Sequence, residues 1–327
     1  MKKTLLILGA GLDQLFMIRT AKSMGLNTLV FDWDPNAPGF KEADYYACVS
    51  TRDLNNMIKE INNFLNNIGQ INGVSTMGSD IPHMVSALSK YLGTPSVSER
   101  SAKWATNKYE MKNRFTKYGV RTPFYKLIKT SQEAKNLFNE LKCPIILKPL
   151  DQAGSRGVSL VRFEDEIEYL FENAFNNSGT KSVLLEKFLI GPQISTESIL
   201  INGDIHTPGF SDRNYDQLDN FLPHIMENGG WVPSVFEDRK KIVEDELKKA
   251  AESLEIRNGV VKGDVVMHND KPYIIEIAAR LSGGDFCEGL VPYGIGVNYV
   301  EEIIRQAIGI ESDVDSLKPK FNKVVVN

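Results

Sequence analysis

The first hundred residues alternate apolar runs with amphipathic runs, and this alternation restricts the fold more than any other feature of the chain. Thr4–Leu8 is predicted to be a buried strand, Gln14–Met24 a helix and Thr28–Asp32 the next strand. The pattern continues in the predicted helix Leu54–Leu65, the strand Gly73–Met77 and the helix Pro82–Tyr91. Strands that alternate with helices predict a parallel sheet covered by helices, so residues 1–100 are expected to form a Rossmann-like α/β domain.

The pattern changes after the pause at Gly93-Thr94-Pro95, and a second domain is expected to begin near residue 101. Turn signals at Asn202-Gly203-Asp204 and Asn269-Asp270 separate neighbouring strands in this half. The longer predicted strands are Ser182–Phe188, Ile194–Ile201, Val260–His268 and Tyr273–Ile277. Residues 101–327 are therefore predicted to be an α+β region dominated by antiparallel sheet.

Composition excludes several classes of protein. The 327 residues are 42% hydrophobic and 24% charged, which is ordinary for a globular protein and excludes collagen-like, coiled-coil and disordered chains. The net charge of −4 offers no positive surplus for a phosphate backbone, so no nucleic-acid partner is expected. Three widely spaced cysteines without a CxxC pair favour a reducing, cytoplasmic location over a disulfide framework or a zinc site. No run approaches the ~18 apolar residues of a membrane helix, so no membrane partner is expected.

The turn Gly9-Ala10-Gly11 after the first strand half matches a dinucleotide-binding fingerprint, with Asp32 about twenty residues further on. The third glycine of the fingerprint is missing, because Gln14 occupies that position. A tight strand-to-helix turn without a cofactor explains the same residues. Both interpretations stay open at this point.

A glycine-rich loop between two predicted strands is a candidate phosphate-binding element. It contains Gly154, Ser155, Arg156, Gly157 and Ser159, and Lys148 precedes it on the first of the two strands. Glycine lets backbone amides approach an anion closely, and the lysine adds a fixed positive charge. A flexible hairpin tip with a surface lysine is the alternative.

The segment Glu186-Lys187-Phe188-Leu189, followed by Gly191-Pro192-Gln193, combines a carboxylate with an apolar hinge and a sharp turn. A nucleotide base requires backbone donors and acceptors at its edge and apolar walls around its rings. Gln193 is placed to contact ribose hydroxyls. A plain strand–turn–strand connection would also produce this sequence.

Asp264 and Glu276 form the most informative pair of residues. They are predicted to lie on two adjacent strands joined by the turn at Asn269-Asp270, within runs that are otherwise apolar. An unpaired carboxylate is costly in such a place, whereas two converging carboxylates suit magnesium held together with phosphate. A surface salt-bridge network is the alternative.

Arg280 follows Glu276 by four residues and precedes the loop Ser282-Gly283-Gly284. A planar guanidinium beside a glycine loop is a candidate anion site. Arg213 lies in a polar and aromatic segment between the hinge and these strands. It is the candidate for an anionic group of the substrate.

Taken in chain order, these motifs resemble the ATP-grasp superfamily, most closely its carboxylate–amine ligases and carbamoyl-phosphate-synthase-like proteins. Asn107-Lys108-Tyr109 resembles the helix with the first phosphate-contacting lysine, and Ile146-Leu147-Lys148-Pro149 resembles the strand with the second. Glu186–Leu189 is similar to the adenine-binding hinge. Glu276–Arg280 is similar to the metal-binding strand that ends in the catalytic arginine.

The resemblance implies an N-terminal preATP-grasp domain over 1–100 and a two-part ATP-grasp domain over 101–327. The nucleotide-gripping part is expected at about 110–190, and the metal and acceptor part at about 191–315. ATP and Mg²⁺ are the implied cofactors, with Lys108, Lys148 and the glycine loop on the triphosphate and with Asp264 and Glu276 on the metal. The chain departs from the family pattern at Ala278, where many members carry asparagine, and at Gln193, where glutamate is frequent.

The implied function is an ATP-dependent ligase that joins a small carboxylate, with amino acids among the candidates, to an amine through an acyl phosphate. Small-molecule carboxylate and amine substrates are the expected partners, and a homodimer is among the expected assemblies. A kinase on the same nucleotide site is the alternative. A Rossmann-type dinucleotide-binding protein would explain the first hundred residues alone.

Overall fold

Within residues 2–152, 154–283 and 285–327, which the computed structural model describes, the strands form three sheets. The strands are β1 Thr4–Leu8, β2 Asn27–Asp32, β3 Tyr45–Cys48, β4 Gly73–Thr76, β5 Tyr125–Ile128, β6 Ile145–Pro149, β7 Ser159–Val161, β8 Val183–Lys187, β9 Gln193–Ile201, β10 Asp204–Arg213, β11 Gly230–Val232, β12 Gly259–His268, β13 Lys271–Ala278 and β14 Val325–Val326. The helices are α1 Leu12–Ser23, α2 Leu54–Asn67, α3 Pro82–Leu92, α4 Glu99–Thr106, α5 Lys108–Lys117, α6 Ser131–Leu141, α7 Ile167–Asn177, α8 Leu218–Phe221, α9 Lys240–Ser253, α10 Val291–Ile295 and α11 Val300–Ala307.

The first sheet is parallel, with the strand order β3-β2-β1-β4. Every residue of β1 is buried because helices cover both faces of the sheet. One face packs against α1 and α11, and the other packs against α2 and α3. The continuous apolar run of β1 is typical of a parallel strand that is covered on both sides. The α/β prediction for this region is confirmed.

The other two sheets are antiparallel. One has the order β5-β8-β6-β7, and α6 and α7 cover its apolar face. The other has the order β13-β12-β9-β10-β11-β14, and α5 and α9 pack against it. The α+β prediction for the second half is confirmed.

Both predicted hairpin turns have the backbone conformation that their residues favour. Asn202 and Gly203 join β9 to β10 with φ of 54° and 95°, and Asn269 and Asp270 join β12 to β13 with φ of 50° and 58°. Two successive left-handed residues match the right-handed twist of the flanking strands. The second turn therefore places Asp264 and Glu276 on adjacent antiparallel strands.

The apolar core crosses the expected boundary at residue 100. Helix α11 packs against α1 and β4, so the C-terminal part of the chain covers the N-terminal sheet. Just after β4, Met77 pairs with Leu281 as an isolated parallel bridge, and the Gly78 amide donates to the Leu281 carbonyl oxygen at 3.1 Å. The segment after Arg280 is thereby anchored on the first sheet. The division into domains at residue 100 stays a prediction.

The turn after β1 is closed by its own side chains. Gln14 is buried, its Oε1 accepts from the Gly11 amide at 2.9 Å, and its amide group donates to the Met77 carbonyl oxygen. A Cβ at Gly9 would lie 2.9 Å from this side chain. Asp32 accepts from the Ala10 amide at 2.7 Å. The space that a pyrophosphate would need over the turn is filled by Gln14, which favours a structural role for this motif.

None of the helices within the described residues combines the length and apolarity needed to cross a bilayer.

Candidate active site

The centre of the site is the pair Asp264 and Glu276, which lie directly opposite each other on β12 and β13. A β-bulge follows at once, because Val265 pairs with Ile274 and Ile275 is the extra residue. The bulge lets Ile274 and Ile277 both enter the apolar core although they are three residues apart. Glu276 is left on the opposite face together with Asp264. The predicted convergence of the two carboxylates is confirmed by this register.

Two cations hold Asp264. Arg213 Nη1 lies 2.8 Å from Asp264 Oδ1, and the Lys262 ammonium pairs with the same oxygen. Burial opposes the charge of Asp264, but the attraction of Lys262 and Arg213 outweighs it and lowers the pKa of the carboxyl. Arg213 also contacts Glu227, its Nε donating to Oε2 at 2.8 Å. Arg213 is therefore engaged by two carboxylates, and its contact with an anionic group of the substrate stays a prediction.

Glu276 stands in the field of the two predicted phosphate-contacting lysines. Burial would raise its pKa, but the positive charges of Lys108 and Lys148 outweigh burial and lower it. Both carboxylates of the pair are therefore ionised at neutral pH.

Behind this pair lies a buried ion triad formed by Glu186, Lys148 and Lys112. Glu186 Oε1 lies 2.7 Å from Lys148 Nζ and 3.0 Å from Lys112 Nζ, and all three side chains are almost inaccessible. Burial lowers the pKa of Lys112 to about 8. Burial also opposes the charge of Lys148, yet the attraction of Glu186 and Glu276 raises its pKa. The carboxylate of Glu186 is committed to these two lysines, and the place of Glu186 in the adenine-binding hinge stays a prediction.

We expect Glu186→Gln to lower the free energy of unfolding at pH 7 by about 3–5 kcal/mol, because two buried ammonium groups lose their shared counter-charge. The two lysines lower the pKa of Glu186 against the effect of its burial. A carboxyl group whose pKa is lowered in the folded state contributes its full stabilisation of the fold above its ordinary pKa of about 4.3. This contribution is lost as the pH falls through the pKa of the folded state. Because the pKa of Lys112 is already about 8 and falls further without Glu186, the difference from wild type should be at least as large at pH 5 as at pH 7, and it should shrink at pH 3.5.

Urea unfolding of wild type and variant at the three pH values measures this difference. Glu172→Gln, at an exposed position, is the matched control and should change stability by less than about 0.5 kcal/mol. A Glu186→Gln protein as stable as the control at pH 7 would contradict the role of the triad.

The glycine-rich loop meets Lys108 at one end and β7 at the other. Asn107 caps α5 and sets Lys108 at its first turn, where Nζ donates to the Gln152 carbonyl oxygen at 2.7 Å. A Cβ at Gly157 would lie 2.8 Å from Pro149, so only glycine fits there. The Ser159 hydroxyl is buried and finds no hydrogen-bond partner among the described residues.

Gly154, Ser155 and Gly157 have φ of 66°, 55° and 71°, and the first two are exposed together with Arg156. These conformations keep the loop from continuing either flanking strand. The prediction that its backbone amides grip phosphate stays a prediction.

The predicted base-binding hinge is only partly available. The amide of Lys187 donates to the Phe124 carbonyl oxygen at 2.9 Å, and the amide of Phe188 donates to that of Pro144 at 3.0 Å. These two amides are therefore used by the fold and are not free for a base. Leu189 is buried and offers an apolar wall, whereas Gln193 opens β9 and is only half-buried.

Arg280 follows β13, just before Leu281 pairs with Met77 beside the parallel sheet. Its Nε is 3.6 Å from Asp80 Oδ1, and Nη1 donates to the Leu281 carbonyl oxygen at 3.1 Å. The loop that follows is tied down by Glu197, a fully buried carboxylate on β9 that accepts from the hydroxyl and the amide of Ser282. Burial raises the pKa of Glu197, and the hydrogen bond from Ser282 only partly offsets this.

Three residues of the loop after Arg280 were predicted to contact the substrate. The hydroxyl of Ser282 is held by Glu197, and Ser282 also lines the cavity described below, so its contact with substrate stays a prediction. Gly283 packs so closely on Asp13 and Gly78 that a Cβ would lie 2.7 Å from Asp13 Oδ2. Gly284, the other predicted substrate contact, lies outside the described residues.

A cavity of about 390 Å³ adjoins this cluster. Its wall carries three cations, Arg213, Lys262 and Arg280, and two carboxylates, Glu227 and Asp285. The size suits a small molecule, and the mixed charge suits one with both an anionic and a cationic group.

The carboxylate pair also fits magnesium by its chemistry. Two ionised, hard oxygen donors face each other, and magnesium usually takes one or two carboxylates and completes its shell with water and phosphate. In the described part of the chain, no three His, Cys, Asp or Glu side chains cluster as a metal site on their own. The remaining ligands would therefore have to come from the nucleotide and from water.

Lys112, Lys262 and Glu197 were missed by the sequence analysis. Lys112 follows Lys108 by four residues beside the apolar Met111 and Phe115, and Lys262 precedes Asp264 by two residues on the same strand face. For Lys112 and Lys262, the sequence signal that could have found them was a lysine at a buried position of a helix or strand. Glu197 sits within an apolar strand, and its partner Ser282 is 85 residues away.

The comparisons with known proteins agree with this geometry. The model of the ATP-grasp domain matches residues 105–284. Alanine–anticapsin ligase of Bacillus subtilis (strain 168) is 28% identical over 219 residues, which cover 59% of this chain and 44% of that protein. The chain thus spans less than half the length of this curated relative.

Two solved structures resemble nearly the whole chain. The L-amino acid ligase from Bacillus licheniformis has a TM-score of 0.80 at 18% identity and covers 97% of this chain and 78% of its own. The biotin carboxylase domain dimer of the Hydrogenobacter thermophilus 2-oxoglutarate carboxylase, in complex with MgADP, ADP and bicarbonate, has a TM-score of 0.79 at 20% identity. It covers 99% of this chain and 74% of its own. At these identities the likeness shows the fold.

Proposed function

The chain belongs to the ATP-grasp family, and from this premise we propose that it is an ATP-dependent ligase that joins a small carboxylate to an amine through an acyl phosphate. The observation that carries the proposal is the facing pair Asp264 and Glu276, ionised beside several buried cations and next to a small cavity of mixed charge. We further propose that the protein works in the cytoplasm, because its three cysteines are all unpaired.

ATP and Mg²⁺ are the proposed cofactors. Lys108, Lys148 and the amides of the glycine loop would neutralise and orient the triphosphate, and Leu189 would cover one face of the base. Asp264 and Glu276 would hold magnesium, which supplies positive charge against the phosphate oxygens when it is bound. The MgADP in one structural relative supports this assignment.

In the proposed reaction, the substrate carboxylate attacks the γ-phosphorus of ATP, the bond to the bridging oxygen breaks and ADP leaves. Arg280 would stabilise the negative charge of the transferring phosphoryl group. The amine then attacks the acyl carbon, phosphate leaves with its electron pair and the amine gives up a proton. No side-chain nucleophile is required.

We propose an α-amino acid as the carboxylate substrate. In the 390 Å³ cavity, Arg280 and Lys262 would attract its carboxylate, and Glu227 and Asp285 would attract its ammonium group. The alanine ligase and the L-amino acid ligase among the relatives support this class.

The test is a panel of the twenty amino acids, singly and in pairs, with ATP and Mg²⁺, read by phosphate release and by mass spectrometry of the products. Formation of ADP, phosphate and an amide in equal amounts supports the ligase. ADP with a stable phosphorylated product and no amide would replace the ligase by a kinase.

The glycine loop should become more protected when nucleotide binds, because Gly154 and Ser155 are exposed in its absence and phosphate would cover their amides. We expect amide hydrogen exchange across residues 150–160 to slow at least about tenfold with ATP and Mg²⁺. Residues 202–204, the exposed hairpin turn far along the chain, are the internal control and should not change. Equal exchange in both states would contradict a phosphate-gripping loop.

A further inference from the structure

The candidate metal site has its own counter-ions within the described residues. Asp264 Oδ1 accepts hydrogen bonds from the Lys262 ammonium and from Arg213 Nη1, the latter at 2.8 Å. Glu276, the facing carboxylate, lies in the electrostatic field of two further lysines. Both carboxylates are therefore balanced by cations of the chain. A divalent metal ion that arrives alone would be repelled by these cations as well as attracted by the acids.

The two cations that contact Asp264 are held in different ways. Arg213 is fixed from its other side, because its Nε donates to Glu227 Oε2 at 2.8 Å. Lys262 has no second hydrogen-bond partner within residues 2–152, 154–283 and 285–327. An ammonium on a flexible four-carbon stem is repositioned at little cost, whereas a planar guanidinium held between two carboxylates is not. Lys262 is therefore the movable cation of the pair.

The Lys262 side chain also has a polar space to move into. Lys262 and Asp264 are two residues apart on β12, so their side chains leave the same face of the strand. Lys262 lines the 390 Å³ cavity beside this face, together with Arg280 and Asp285. Its side chain keeps 16% of its surface accessible. The ammonium can therefore leave Asp264 without entering the apolar core.

We propose that Lys262 is a displaceable counter-ion of the metal site. Without metal it neutralises Asp264 and opposes free divalent ions, and when magnesium binds together with the nucleotide the ammonium turns into the adjoining cavity. There it adds a positive charge for the carboxylate of the proposed substrate, so the binding of metal and the binding of substrate favour each other. The inference rests on Asp264 as a metal ligand, which is part of the proposed function. It holds for a ligase and for a kinase alike, because metal binding is measured without turnover.

Mn²⁺ is the probe, because it takes the same oxygen ligands as magnesium and its free ion is measured by electron paramagnetic resonance. Without nucleotide, Lys262→Met should bind Mn²⁺ at least about tenfold more tightly than the wild-type full chain, because a positive charge beside the metal is removed. Lys271→Met, which removes an exposed lysine of the same hairpin, is the matched control and should leave the affinity unchanged. In calorimetry, Lys262→Met should bind the preformed complex of Mn²⁺ with the non-hydrolysable ATP analogue AMP-PNP no more tightly than the wild type, because the displaced ammonium no longer opposes the metal.

An unchanged or weaker Mn²⁺ affinity in Lys262→Met would overturn the proposal, because a lysine that only holds Asp264 in place would cost metal affinity when it is lost. A gain of the same size for the Mn²⁺–AMP-PNP complex would overturn the displacement. In the double variant Lys262→Met with Asp264→Asn the gain should vanish. If it persists, Mn²⁺ binds elsewhere and the assignment of Asp264 as a metal ligand is wrong. Circular dichroism and thermal unfolding are the folding controls, and Lys262→Gln replaces Lys262→Met if that variant does not fold.

Discussion

Asp264→Asn and Glu276→Gln are each expected to reduce magnesium-dependent ATP turnover by at least about 10²-fold. A bound metal supplies several kcal/mol of charge stabilisation, and each 1.4 kcal/mol corresponds to a factor of ten. Each substitution replaces a charged oxygen ligand by a neutral amide of the same shape. The apparent affinity for Mg²⁺, measured from the metal dependence of the rate, should fall together with the rate.

Asp270→Asn is the matched control, because Asp270 is an exposed acid on the turn that joins the same two strands. Asparagine also tolerates its left-handed backbone, so this variant should keep the wild-type rate. Thermal unfolding of all three variants separates lost turnover from lost fold. Near-wild-type rates in both Asp264→Asn and Glu276→Gln would refute the metal assignment.

Arg280→Ala is expected to lower turnover by about 10²–10³-fold, by analogy with the removal of a donor aimed at a developing charge. Affinity for ATP should change far less, because the lysines, the glycine loop and the carboxylate pair remain. Hydroxylamine in place of the amine should trap the activated carboxylate as a hydroxamate in the wild type, and Arg280→Ala should form very little of it.

Arg239→Ala, a half-exposed arginine in a surface ion pair, is the control and should form hydroxamate at the wild-type rate. If no carboxylate in the panel yields hydroxamate while a phosphorylated product accumulates, the acyl-phosphate mechanism is wrong. If Arg280→Ala keeps full hydroxamate yield, Arg280 has no direct part in the transfer.

The strands and turns of the fold could be predicted where a residue pattern has a local physical cause. Burial on two faces requires a continuous apolar run, which is visible in the sequence of β1. A left-handed backbone favours asparagine and aspartate, which are present in the turn Asn269-Asp270. The short strands β3, β11 and β14 have no such mark. They form because each of them pairs with the edge of a longer neighbouring strand.

The site was predictable to the same extent. The turn at Asn269-Asp270 predicted that Asp264 and Glu276 lie on adjacent strands, but their direct pairing depends on the bulge at Ile275, and the partners of Arg213 could not be predicted from its neighbours. Its contact with Asp264 spans 51 residues, and the contact of Ser282 with Glu197 spans 85. Such pairs depend on the order of strands in the sheet, and that order is a property of the whole fold.

The bulge at Ile275 makes the carboxylate pair depend on the number of residues in the hairpin as much as on their identity. Side chains along a strand alternate between its two faces. If Ile275 were deleted, the residues on one side of the deletion would therefore point to the opposite face from the one they occupy now. Either Ile274 would leave the apolar core or Glu276 would enter it. When the sequences of relatives are aligned across this hairpin, a gap placed on the wrong side of Ile275 would align the acid of one protein with a buried apolar position of the other. Insertions and deletions between Asp264 and Glu276 therefore say more about whether a relative keeps this site than the percentage of identical residues does.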